Sequence, residues 1–126
     1  MHLKFVRTIL AALICLFVAG ASSPVWAQQS SRFVSVMEDL PLMGGLVEVG
    51  EGVQFSTPQG RIVEATAQGS LSSHAVLAFY DRTLPQLGWR RVGQGRFMRE
   101  EETLQLGFEA SGQNLKVRFA LTPALP

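Results

Sequence analysis

Two stretches of this 126-residue chain alternate between apolar and polar or small side chains: Leu104, Leu106, Phe108 and Ala110 in the first, Leu115, Val117, Phe119 and Leu121 in the second. A side-chain period of two places each set on one face of a strand. Ser111-Gly112-Gln113-Asn114 between them is a tight polar turn, so the segment predicts an antiparallel hairpin with one dry face. A sheet with a dry face must be covered.

The cover is encoded upstream, where the period changes. Val76, Phe79, Tyr80, Thr83, Leu84 and Leu87 recur at intervals of three and four residues, while His74, Asp81, Arg82 and Gln86 fall elsewhere around the same helix. Ser72 or Ser73 is the expected N-cap, its hydroxyl accepting from an otherwise unpaired backbone N–H. Pro85 removes a donor and disfavours helical geometry at Leu84, and Gly88 can take the left-handed conformation that closes a helix.

Further strands are expected at Val53-Gln54-Phe55-Ser56 and from Ile62 to Gln68, joined by Thr57-Pro58-Gln59-Gly60, whose proline and glycine suit a type I turn. Two more are expected from Trp89 to Val92 and from Arg96 to Arg99, around Gly93-Gln94-Gly95. The expected order is β-β-α-β-β-β-β: an α+β domain with an antiparallel sheet and one amphipathic helix packed on one face. No internal repeat or low-complexity tract interrupts it.

The start of the chain reads differently. Lys4 and Arg7 precede an apolar run from Ile9 to Ala21, followed by Ser22, Ser23 and Pro24. That order is the order of an export signal. The run is shorter than the roughly 20 residues that a spanning helix needs. Val25-Trp26-Ala27 presents small residues at the first and third positions before a cut, with Ala19-Gly20-Ala21 as a competing site. Residues 1–27 are therefore expected to be a signal peptide, 28–47 an irregular strap broken by Pro41 and Gly44-Gly45, and 48–126 a single α+β domain. The expected location is the periplasm, or secretion, with no stable membrane anchor after cleavage.

Charge and cysteine content narrow the function. The chain has 11 basic and 10 acidic side chains; losing Lys4 and Arg7 leaves nine against ten, with no field to steer nucleic acid. The single cysteine, Cys15, lies inside the apolar run and follows the bulky Ile14, against a lipid-bearing role. Once it is removed there is no disulfide, thiolate nucleophile or thiolate metal ligand. His74 is then the remaining histidine, too little for an ordinary zinc site or triad. Glu100-Glu101-Glu102 reads as a solvated turn, because successive strand residues point to opposite faces. Gly93-Gln94-Gly95, with no helix after it, reads as a turn and not a phosphate loop.

The segment Phe79-Tyr80-Asp81-Arg82-Thr83-Leu84-Pro85-Gln86-Leu87-Gly88-Trp89, preceded by Glu38-Asp39-Leu40-Pro41-Leu42-Met43 and by Thr57-Pro58-Gln59-Gly60-Arg61-Ile62, resembles a group of small uncharacterised exported proteins of proteobacteria. The resemblance implies an envelope location and a helix-over-sheet fold. It brings no activity and no functional residue.

The expectation that results is a non-catalytic exported module, without cofactor or metal, that binds another envelope component, foremost a protein. Two surfaces are candidates. One is the strap, through Leu40, Leu42 and Met43; the other is the arginine hairpin, through Arg90, Arg91, Arg96 and Arg99, where guanidinium forks sharing a face could hold a carboxylate or phosphate. A small-molecule or lipid carrier, with a groove lined by Tyr80 and Trp89 between helix and sheet, is the alternative. An enzyme is the least favoured reading.

Overall fold

The computed structural model describes residues 32–124. The expected export signal, with both of its cut sites and Cys15, lies outside the described residues. Nine strands and one α-helix follow in the order β1 (Phe33–Val34), β2 (Met37–Pro41), β3 (Val47–Glu48), β4 (Val53–Thr57), β5 (Gly60–Gly69), α1 (Ser73–Thr83), a 3-10 turn (Leu84–Leu87), β6 (Arg90–Gly93), β7 (Arg96–Arg99), β8 (Glu102–Ser111) and β9 (Asn114–Pro123). The protein is α+β, mostly antiparallel sheet with one α-helix.

The main sheet runs β3-β5-β9-β8-β7-β6, with β4 also pairing to β5. Short turns join β6 through β9 as a meander. The long connection through α1 carries the chain from β5, on one side of β9, to β6 at the far edge. Register follows the alternation of the sequence: Val63, Ala65 and Ala67 stand opposite Leu121, Phe119 and Val117, and on the other side of β9 these face Leu104, Leu106 and Phe108. This inner face is buried, with Phe108 half-buried at its margin. The opposite face carries Glu64, Thr66 and Gln68 beside Ala120, Arg118 and Lys116.

The helix begins where Ser72 accepts from the Ala75 amide at 3.0 Å. Val76, Tyr80 and Leu84 are fully buried in the same cluster as the inner sheet face. The Tyr80 ring meets Phe119 of β9 edge-on, with centroids 5.5 Å apart, and meets Phe79 at 4.9 Å. Pro85 converts the last turn to 3-10 geometry, and Gly88 closes it at φ 90°. That tightening carries Leu87 off the apolar stripe, so it is exposed instead of facing the core as its spacing predicts.

The strap is more ordered than expected. Phe33 pairs with Pro41 and Val34 with Met37, forming a separate two-stranded hairpin, and β3 adds to β5 at Val47–Gln68 and Glu48–Ala67. Pro41 is tolerated because it ends its strand, where no ladder donor is needed. Val34, Met37, Leu40, Leu42 and Leu46 all join the core. Three short strands thus precede the expected set.

Candidate functional site

The arginine hairpin is divided by strand geometry. Neighbouring residues of a strand point to opposite faces, and the register fixes which goes where: Arg91 lies opposite Phe97 and Arg99 opposite Glu102, whereas Arg90 lies opposite Met98 and Arg96 opposite Gln105. The four guanidinium groups therefore do not converge.

Arg91 and Arg99 take the inner side and are spent on structure. Arg91 Nε donates to Asp81 of α1 at 3.2 Å. The Arg99 guanidinium stacks 4.3 Å from the Trp89 ring centroid, donates to the Leu87 carbonyl at 3.2 Å and pairs with Asp39 of the strap. Partial burial pushes the Asp39 carboxyl up, but the hydrogen bond and charge of Arg99 outweigh it and hold Asp39 below the usual carboxylate range. Next to this pair, Arg61 makes a two-pronged bond to Glu102 at 2.7 and 3.0 Å, which raises the Arg61 pKa further. These four charges close the end of the core as neutralised pairs.

Several sequence candidates are removed from any accessible surface. Tyr80 is fully buried and Trp89 is 5% exposed, so the two do not form an open groove. Burial pushes the Tyr80 phenol well above its ordinary value. Its hydroxyl donates to the Pro41 carbonyl at 2.8 Å and accepts from the Met43 amide at 3.3 Å. Trp89 Nε1 is buried without a partner among the described residues. Leu40 and Leu42 are core residues and Met43 packs half-buried against them, because the strap needs its own apolar side chains to seal the domain. The docking role expected for these three does not fit that placement.

The outer arginines are different. All ten acidic side chains of the chain lie within the described residues, and their ion pairs take Arg61, Arg91, Arg99 and Arg118; Arg90 and Arg96 have none. Arg96 is nevertheless held in place. Gln105 donates through Nε2 to the carbonyls of Gly95 and Leu106, both at 3.1 Å, which turns its Oε1 toward Arg96 Nε at 2.8 Å. That single bond orients the guanidinium, and its terminal nitrogens have no hydrogen-bond partner among the described residues.

Arg96 lines an outer-face cleft of about 400 Å³ together with Val92, Met98, Thr103, Thr122, Pro123 and Ala124. A β-bulge between Arg91 and Gly93 re-aims this edge, and Val92 is 42% exposed. Thr103 lies between Met98 on one side and Thr122 on the other, so the cleft floor crosses three strands without a charge. Gln105, Met98, Val92 and the two threonines were not singled out in the sequence. Only the outward parity of Met98, Thr103 and Gln105 along their strands could have signalled them.

Two further clefts flank Arg61. One, of about 410 Å³, is lined by Gln59, Gly60, Pro123 and Glu100-Glu101-Glu102; the other, of about 500 Å³, by Ser35, Val36, Glu38, Asp39 and Gln54. Of their charged residues, Arg61, Glu102 and Asp39 are paired, and Glu38, Glu100 and Glu101, unpaired among the described residues, leave both clefts acidic. His74 is exposed in the first turn of α1. Among the described residues no group of three or more His, Cys, Asp and Glu could hold a metal ion, and no helix is long and apolar enough to cross a membrane.

Comparison with protein-family models, with curated proteins and with solved structures finds no match to this chain.

Proposed function

We propose that this protein is an exported, non-catalytic binding module that engages another component of the bacterial envelope through the outer face of its sheet at the β6–β7 end. The observation that carries the reading is the pair of arginines without an acid partner among the described residues, Arg90 and Arg96, at a cleft whose other lining residues are uncharged. Exposed arginines next to apolar surface are a common composition for a binding face. The order of the first 27 residues supports export. The reading takes α1 as the layer that closes the inner face, which leaves the outer face as the broad surface open to a partner. It also accounts for the division of the hairpin, with two arginines holding the fold and two left for recognition.

The test is a photo-crosslinking residue at Val92 in the full chain, irradiated in intact cells, with a second at Gln113 in the distant β8–β9 turn. The reading expects an adduct at position 92, none at 113, and loss of the adduct in an Arg90→Gln/Arg96→Gln variant that unfolds at the wild-type midpoint. Equal labelling at both positions, or labelling that ignores the two arginines, refutes it.

A further inference from the structure

Resting on that reading of the outer face, we propose that the cleft takes an anionic amphiphile, a single carboxylate on an apolar chain, with the carboxylate on Arg96 and the chain along Met98, Val92 and Pro123. Three observations argue for this class of ligand. The first is charge. Among the described residues no acid neutralises Arg96 or Arg90; Arg96 lines the cleft, and Arg90 stands opposite the lining residue Met98 in register.

The second is preorganisation. Arg96 is tethered through Nε by Gln105, whose own amide is fixed by two backbone carbonyls. A guanidinium held by one nitrogen presents the other two as a fork that matches the two oxygens of a carboxylate. Less freedom remains to be lost on binding. Gln105 is thus a positioning residue.

The third is the floor. Val92, Met98 and Pro123 offer apolar contact, and methionine adapts to irregular apolar shapes. About 400 Å³ sits at the small end of the range for ligand sites, about 300–1,000 Å³. A short single chain suits that size better than a bulky or doubly chained lipid.

The experiment is calorimetric titration of the protein, expressed from the full chain and purified as it accumulates, with hexanoate, octanoate and decanoate, and with decanol as the neutral control. Affinity should rise along the series by up to about fourfold per methylene. Decanoate should exceed decanol by about tenfold or more, and Arg96→Gln should remove that margin. Gln105→Leu, which keeps Arg96 but unties it, should weaken decanoate and leave decanol unchanged. Decanol binding as tightly as decanoate, or decanoate binding unaffected by Arg96→Gln, overturns the proposal. If decanoate does not bind while the arginine-dependent adduct at Val92 persists and is a protein by intact mass, the ligand class is wrong and the binding role stands. If neither is seen, both fall.

Discussion

The Tyr80 hydroxyl in α1 donates to the Pro41 carbonyl at 2.8 Å, and so ties the middle of the helix to the end of the strap hairpin. The same oxygen accepts from the Met43 amide at 3.3 Å. One side chain therefore satisfies a carbonyl and an amide in the segment that covers the core. Tyr80→Phe keeps the ring against Phe119 and removes both bonds. It should cost about 1–2 kcal/mol in urea unfolding, and the Met43 amide should exchange faster with solvent. Unchanged stability would mean that water replaces the hydroxyl without loss.

The same burial makes the fold sensitive to alkali. Tyr80 has a folded-state pKa raised far above its unfolded value of about 10. A phenol with a raised folded pKa binds its proton more tightly in the native state, so the contribution of Tyr80 to stability is constant below about pH 10 and falls as pH rises above it. Tyr80 is the only tyrosine, so phenolate absorbance reports it alone. That absorbance should appear together with unfolding, not ahead of it. Tyr80→Phe should flatten the alkaline slope; phenolate forming in a still-folded protein would show that the site is wetter than its burial indicates.

The alternation in β8 and β9 and the stripe of α1 were legible because each is local: a period of two or of three to four, repeated over enough residues to name a face. The strap was not. Its strands do not show the strand period of two, since β1 and β2 bury Val34, Met37 and Leu40 three residues apart, and the hydroxyl that ties them to the helix belongs to Tyr80, about forty residues away. Arg90 and Arg96 were legible as arginines and as members of a hairpin. Which of the four stays free depended on Asp81, Asp39 and Gln105, none of which is adjacent in sequence to the arginine it touches.

The pairing of Asp39 with Arg99 gives an acid counterpart to the alkaline slope. Asp39 has a lowered folded pKa, so its contribution is present above the unfolded value of about 3.9 and disappears as pH falls through the folded one. The Asp39 side chain is half exposed, and solvent screening limits the pair to about 1 kcal/mol or less. Asp39→Asn should lower stability by that small amount at pH 7 and by nothing at about pH 2. A variant deficit that persists in acid would assign the loss to packing of the strap.

Gly69 tests whether the strap is part of the domain or an appendage to it. A Cβ at Gly69 would lie 2.1 Å from the Gly45 carbonyl oxygen and 3.0 Å from its carbon, while one at Gly44 would meet nothing within 4 Å. The obstruction is backbone, which cannot rotate away as a side chain would. Relief requires Gly45 to withdraw from β5, and this pulls on the Val47–Gln68 pairing and on the fully packed Leu46 next to it. If the strap is integral, Gly69→Ala should cost at least about 1–3 kcal/mol, as overpacking does, and should lower one cooperative transition as a whole. Gly44→Ala should stay within about 0.5 kcal/mol. If the strap is an appendage, Gly69→Ala will instead split the transition, with early loss of strap protection in hydrogen exchange and an unmoved midpoint for the sheet.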